Sequence, residues 1–323
     1  SLVVDSWYKK SLWLYLLYPF ALAVSYFTGR KRRKFLKNSL KKYKSEAPII
    51  IVGNLTIGGT GKTPLVKYIA TELIKLGYKP GIVSRGYGGK FKETLRVTNE
   101  TPVKQTGDEA QILSTLNIPF YIDKNRVRAL KTLNDNHDCD VIISDDGLQH
   151  YNMNRDVEIV VIDGKRRFGN NLSFPAGPLR ESLKRLDSVD FIVNNSGPTE
   201  DGEHLMNVSP AKFIHLKSGK SYSVEDWPMH KQVHAVAGLG NPGRFFDLLA
   251  RLGFDITRNP FPDHHNFISE DVHYLDHLPI IMTEKDASKC KDFDNNKIWY
   301  LTIEAEVSSK FIEKLDSKLK NLS

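Results

Sequence analysis

Short unbroken apolar runs alternate with stretches of helical spacing along most of this chain. Ile49–Val52, the run that ends at Ser84, Pro119–Ile122, Val141–Ser144, Glu158–Ile162 and Phe191–Asn194 each read as a brief strand. Between the first two, Leu65, Val66, Ile69, Ala70, Leu73, Ile74 and Leu76 keep a helical period that stops at Gly77, and 124–133 reads as another helix. A strand covered on both faces has no polar side to alternate, so this pattern predicts an α/β fold with a doubly wound, mostly parallel sheet. Residues 196–232 are polar and irregular apart from a strand-like stretch at 212–217, and are expected to form a linker. A second α/β pattern follows, with strands at Val233–Val236, Ile280–Thr283 and Trp299–Thr302 and helices at 244–252 and 311–319. The expected organisation is an arm over 1–44, a larger α/β domain over 45–195, the linker over 196–232 and a smaller α/β domain over 233–323.

The amino-terminal arm breaks the pattern. Leu12 to Phe27 is almost wholly apolar and aromatic, yet it is sixteen residues long and contains Pro19, whereas a spanning helix needs ~20. Nine basic residues and no acidic one follow between Arg30 and Lys44, and the other 37 Lys and Arg are balanced by 38 Asp and Glu. The net charge of +8 is therefore one local device. A Trp- and Tyr-rich apolar helix leading into a polybasic segment suits monotopic attachment to an anionic membrane surface. It fits a nucleic-acid partner poorly, lacks the small-residue cleavage site of a signal peptide, and as a core helix would leave the basic run unexplained. No obligate protein partner is evident. Cys139 and Cys290 lie far apart without metal-ligand spacing, so no structural metal is expected.

Candidate chemistry starts where the first apolar run ends. Residues 53–64 read Gly-Asn-Leu-Thr-Ile-Gly-Gly-Thr-Gly-Lys-Thr-Pro between a strand and a helix, the arrangement that cradles nucleotide phosphates. Backbone N–H groups around Gly58, Gly59, Thr60 and Gly61 are expected to meet phosphate oxygens, Lys62 to reach the β and γ oxygens, and Thr63 to hold Mg²⁺. Thr56 stands where the usual pattern has its first glycine, which suits an extended lead-in. Asp145 and Asp146 close a strand, where a P-loop enzyme needs a carboxylate near Mg²⁺. Successive strand residues face opposite ways, so one is expected near the metal and the other near substrate or the loop. Asp108 opens a helical stretch, where an acidic residue is more often a cap but can also project toward an acceptor hydroxyl. Arg85, Arg126, Arg128 and Arg180 are candidate phosphate partners.

Seven motifs occur together: Gly-Gly-Thr-Gly-Lys-Thr-Pro at 58–64, Ser-Arg-Gly-Tyr-Gly at 84–88, Gly-Asp-Glu at 107–109, Asp-Asp-Gly-Leu-Gln-His at 145–150, Pro-Ala-Gly-Pro-Leu-Arg-Glu at 175–181, Phe-Pro-Asp-His-His at 261–265 and Thr-Glu-Lys-Asp at 283–286. In that order they resemble the tetraacyldisaccharide 4′-kinase family, the membrane-associated lipid A kinases, over almost the whole chain. The resemblance implies transfer of the ATP γ-phosphate to the 4′-hydroxyl of a tetraacylated glucosamine disaccharide 1-phosphate at the cytoplasmic face of the bacterial inner membrane. It implies a P-loop kinase domain and a smaller domain with the site between them. It makes Asp108 and His264 a catalytic pair, puts Asp145, Asp146 and Glu181 with Thr63 in the metal set, and leaves Arg85, Tyr87, His150 and Arg180 to the substrate. A nucleotide-dependent membrane switch is the competing class, but it has no use for a carboxylate and histidine facing an acceptor hydroxyl.

Overall fold

The computed structural model describes residues 2–9, 11–37 and 43–322, so Lys41 and Lys42 of the basic run lie outside the described residues. The strands are β1 (Ile49–Gly53), β2 (Pro80–Ser84), β3 (Leu95–Arg96), β4 (Phe120–Ile122), β5 (Val141–Asp145), β6 (Val157–Asp163), β7 (Phe191–Asn195), β8 (Glu203–His215), β9 (Ser221–Ser223), β10 (Gln232–Ala237), β11 (Asp255–Pro260), β12 (Ile280–Thr283) and β13 (Ile298–Val307). They form one continuous sheet in the order β11-β10-β12-β13-β8-β7-β6-β1-β5-β2-β4-β3, with β9 paired to β8. Most neighbours run parallel; β3 with β4, β8 with β9 and β8 with β13 are antiparallel. The central strands β1, β2 and β5 are buried at every position, which is why they read as unbroken apolar runs.

The stretch expected as a linker holds the two halves together. The start of β8 pairs parallel with β7, Ile192 opposite Glu203, and the rest of it pairs antiparallel with β13, Trp299 opposite His215. Only Met206 and Phe213 of its thirteen residues are buried, so hydrophobic patterning showed no more than its last third. β11 was missed for the same reason, its sequence being Asp-Ile-Thr-Arg-Asn-Pro with no buried position.

Helices cover both faces of the sheet. Lys62–Lys75 turns Leu65, Val66, Ile69, Ala70 and Leu73 onto β1 and its neighbours, while Ile74 and Leu76 point outward. Arg126–Asn136 covers the opposite face with Ala129, Leu130 and Leu133, and begins two residues later than its spacing suggests because the Asn125 side chain accepts from Val127 N at 3.1 Å. The last helix, Ser309–Lys320, belongs to the carboxyl-terminal sequence but packs on the amino-terminal half. Phe311, Leu315 and Leu319 are buried in the same cluster as Leu65 and Ile69, and the Phe311 ring meets Phe191 edge-on at 5.4 Å.

The arm is helical from Leu12 to Lys37, first as a tight 3-10 turn over Leu12–Leu17 and then as an α-helix from Tyr18. Pro19 sits in the first turn of the latter, where its missing N–H has no helical partner to lose. At 26 residues this is a helix long and apolar enough to cross a membrane by length and composition. The continuous helix is longer than its apolar run because it proceeds through the basic residues to Lys37. Leu14 and Ala21 are buried, whereas Leu12 and Leu16 are 84% and 78% exposed, so the apolar surface faces outward rather than into the core. The arm is tied down at its start by Trp7, whose Nε1 donates to the Pro175 carbonyl at 3.1 Å.

Candidate active site

The glycine turn is held from beneath and from the side. Ile57 N donates to Pro178 O at 2.8 Å, Arg180 N to Leu55 O at 2.7 Å, and Thr56 makes an antiparallel bridge with Leu179. That bridge accounts for a threonine in place of the first glycine, since the backbone there is extended. Asn54 Nδ2 donates to Thr56 O at 2.8 Å, and Asn195 Nδ2 to Thr60 O at 3.0 Å. Gly58 and Gly61 have φ of 111° and 93°, the left-handed region that turns successive N–H groups inward. At Gly61 a Cβ would also lie 2.4 Å from Asn195 Nδ2.

Beside the turn, the Asp-Asp-Gly carboxylates take different partners, because β5 ends at Asp145 and Asp146 turns out of the strand. Asp146, with φ of 46°, faces the loop: Lys62 Nζ lies 3.5 Å and Arg180 3.2 Å from its Oδ1. Burial acts to raise its pKa, but Lys62, Arg180 and Arg126 outweigh that and hold it below the usual carboxylate range. Asp145 faces inward, accepts from Ser84 Oγ at 3.2 Å, and has its buried Oδ1 without a hydrogen-bond partner. Burial, with Glu109 and Asp146 nearby, pushes its pKa up to about 7. Arg126, itself buried, braces the pair from behind by donating to Asp145 O at 2.7 Å and Asp146 O at 3.2 Å.

The structure brings Asp108 and His264 together across the two halves, Oδ2 to Nδ1 at 3.0 Å. Asp108 follows Gly107, whose φ of 83° and 2.1 Å clearance between a would-be Cβ and Tyr87 O leave room for no side chain. The 84–88 turn is thereby pressed against the start of the Asp108 helix. His264 has φ of 58°, uncommon outside glycine, and its N–H donates to Asp263 Oδ1 at 3.0 Å. Sequence reasoning missed two residues here. Lys285 and Lys289 both place Nζ 3.4 Å from Asp108 Oδ2; the Thr-Glu-Lys-Asp motif pointed to the first of them without suggesting a role.

Other expected residues fall elsewhere. Glu181 accepts from Tyr151 Oη at 2.5 Å and lies 3.7 Å from Arg185 Nε, while Arg185 in turn pairs with Glu158. Among the described residues no three His, Cys, Asp or Glu side chains converge as a metal cluster. Glu181 has Tyr151 and Arg185 as neighbours, and its Oε2, like Asp145 Oδ1, is buried without a hydrogen-bond partner. Arg128 is spent on Asp123, in a bidentate pair at 2.7 and 2.8 Å. Arg85 and Tyr87 are exposed at their turn. His150 is held neutral: burial, then the charges of Arg126, Lys31, Arg155 and Arg85, bring its pKa down to about 4. The basic arm packs nearby, the Phe35 ring stacking on Tyr151 at 6.0 Å and Arg32 donating to Ser188 Oγ at 2.8 Å.

A glycine turn ahead of Lys-Thr, together with an aspartate and a histidine that meet from distant parts of the chain, narrows the choice of family, and comparison completes it. The model of the tetraacyldisaccharide-1-P 4′-kinase family matches residues 13–320. This chain belongs to that family. A tetraacyldisaccharide 4′-kinase of Ruthia magnifica is 46% identical to it over 284 residues, covering 87% of this chain and 90% of the relative. One of Methylobacillus flagellatus is 41% identical over 318 residues, covering 98% and 95%. The crystal structure of LpxK from Aquifex aeolicus in complex with ATP is 25% identical, covers 96% of this chain and 99% of that one, and superposes with a TM-score of 0.82. The kinase's mixed α/β architecture, its mostly parallel sheet and its apolar amino-terminal helix are those of the family.

Proposed function

We propose that this kinase moves the γ-phosphoryl group of ATP to the 4′-oxygen of tetraacyldisaccharide 1-phosphate, with Asp108 accepting the hydroxyl proton and His264 supporting Asp108. The bond between γ-phosphorus and the β–γ bridging oxygen breaks, that between phosphorus and the sugar oxygen forms, and ADP leaves. The 3.0 Å contact between Asp108 and His264 carries this reading. A sugar hydroxyl is a weak acid, and in a loose transition state it surrenders its proton late, so a fixed carboxylate is the fitting acceptor. A radiolabel transfer assay tests it. Asp108→Ala lowers kcat by about 10²- to 10⁴-fold with the KM for ATP little changed, and His264→Ala lowers it less. Unchanged turnover in both variants removes the pair from the mechanism.

The turn from Thr56 to Thr63 is assigned to the nucleotide, with Lys62 as the phosphate-facing cation. Mg²⁺ fits the chemistry of the residues beside it, because Asp145 presents a buried, unpartnered carboxylate oxygen. Mg²⁺ takes one or two carboxylates and completes its shell with phosphate and water. Thr63 and Asp145 would hold it, with Asp146 close by and committed to Lys62 and Arg180. When bound it would offset charge on the β and γ oxygens. Glu181 acts through Tyr151 and Arg185 in this reading, shaping the wall next to His150. Arg85, Tyr87 and the neutral His150 are assigned to the acceptor.

The arm brings the enzyme to its lipid. Each acyl CH₂ left in the bilayer is worth ~0.8 kcal/mol, so an acceptor with four chains stays where it is. The outward-facing Leu12, Leu16 and Phe20 are assigned to the interfacial layer, and Arg30 to Lys37 to anionic headgroups of the cytoplasmic face, at ~1 kcal/mol per cation near the surface. Flotation with vesicles checks this: binding to anionic vesicles falls with salt and is lost in a variant lacking 1–44. Equal binding to neutral vesicles excludes the anionic surface.

A further inference from the structure

Asp108 is surrounded by more positive charge than a proton acceptor needs. Besides His264, Lys285 and Lys289 each hold Nζ at 3.4 Å from the same Oδ2. Both come from the segment after β12, at the carboxyl end of the sheet in the second half, Lys285 in the short helix Glu284–Ala287 and Lys289 in the turn that follows. Their surroundings differ. Lys289 is fixed: its side chain is 9% exposed, donates to the His265 carbonyl at 3.1 Å, and lies 3.7 Å from Asp286. Asp286 is itself pinned, accepting from Gly238 N at 2.9 Å and Thr283 Oγ1 at 2.7 Å. Lys285 is freer, and its second partner is the half-exposed Asp263, at 3.1 Å.

The reaction explains why two cations belong there. A carboxylate that takes the hydroxyl proton and a phosphoryl group that takes the hydroxyl oxygen are both anionic, and both must approach one atom. Their repulsion grows as the site fills unless a cation stands between them, and enzymes of phosphoryl transfer gain most of their rate from such placed charge. Lys62 serves the far side of the phosphates, where Asp146 is its partner. Among the described residues no lysine or arginine of the first half pairs with Asp108, and the second half places two ammonium groups 3.4 Å from its Oδ2.

We propose that Lys285 and Lys289 form a two-ammonium clamp on Asp108, Lys289 as the fixed positioning residue and Lys285 as the movable one that passes to the transferring phosphoryl group. Lys289 keeps the carboxylate aimed when the second cation leaves it. Lys285 donates no proton; it exchanges one anionic partner for another, so the balance of the transfer is unchanged. The inference rests on Asp108 being the proton acceptor.

Single and double variants test both the clamp and its foundation. Lys285→Met lowers kcat by about 100-fold with the KM for ATP within about twofold of wild type, and Lys285→Arg recovers most of the loss. Lys289→Met lowers kcat by about 10-fold, again without a change in KM. In an Asp108→Asn background Lys289→Met costs nothing further, because the group it positions is gone, whereas Lys285→Met still costs most of its 100-fold, an order-of-magnitude figure on the same footing. If Lys289→Met fails to fold, Lys289→Gln keeps a donor for the His265 carbonyl and removes only the charge. Lys285→Met at wild-type turnover, or full additivity of the Lys289 change with Asp108→Asn, overturns the clamp. Asp108→Asn at wild-type turnover would instead overturn the parent reading, so the two failures are separable.

Discussion

The glycine turn and the far wall of the cleft are built on opposite principles. Around the turn, Asn54, Thr56, Gly58, Gly61 and Lys62 lie close in sequence, with clasps from 178–180 and Asn195. The shape comes from backbone conformations that glycine permits. On the far side, His264 meets an aspartate 156 residues earlier in the chain, and Lys285 and Lys289 reach the same carboxylate from a third segment. Two further contacts between the halves near this carboxylate are polar, Lys67 to Glu284 at 3.5 Å and Lys291 to the Asn99 carbonyl at 3.2 Å. A phosphate cradle can be made largely from one stretch of chain because consecutive backbone N–H groups and the lysine that follows them share one turn. The constellation around Asp108 is instead assembled from distant stretches of the chain, and the contacts that bring its members together are polar.

If that contrast is right, the two sides should fail differently. Lys62→Ala should have the largest effect, a loss of turnover of at least about 10²-fold together with weaker nucleotide binding, because its ammonium serves ground state and transition state alike; isothermal titration with ADP and the transfer assay measure the two parts. His264→Ala should lower kcat by about 10-fold and leave the ADP titration unchanged. A loss of ADP affinity there would break the comparison.

The next prediction concerns where the halves are inseparable. Phe311→Ala removes an aromatic ring that the carboxyl-terminal helix buries in the core of the first half, so it should cost about 3–5 kcal/mol in denaturant unfolding and loosen the nucleotide site with it. An unfolding transition in which nucleotide binding survives the loss of the last helix would show that the first half stands alone. The smallest effect tests a pair on the first half that has no part in the cleft. Burial tends to raise the Asp123 pKa, but Arg128, Thr94 and the Asn125 N–H outweigh it and hold the group lower. Its contribution to stability is then full above the unfolded carboxylate value of ~3.9 and is lost as pH falls through the lower folded value. The Tm gap between wild type and Asp123→Asn should shrink between about pH 5 and pH 2, and a gap that stays constant would remove the pair from the acid sensitivity.

Patterning revealed what lies buried on both faces. β1, β2 and β5 are unbroken apolar runs because helices cover them above and below, and the period of 65–73 is legible because one stripe faces those strands. β8 escaped because it stitches the two halves mostly through backbone hydrogen bonds, which any side chain can make. Asp108 stands out locally at its helix start, but its pairing with His264 comes from motif resemblance, since no local signal joins residues 156 apart. A charge on a sequence does not show whether its partner is a ligand or a neighbour in the fold: Arg128 meets Asp123, and Glu181 meets Tyr151.

The sequence by itself determined the alternation of buried strands and one-sided helices, the glycine turn with its lysine and threonine, and the outward-facing greasy arm with its basic end. These follow from local rules: backbone freedom at glycine, side-chain period and runs of like charge. Tertiary structure alone decided that one sheet runs through both halves, that the last helix returns to the first core, and that two lysines and a histidine converge on Asp108. Each of these depends on distances between residues far apart in the chain, which chain closure and packing set and no window of sequence contains.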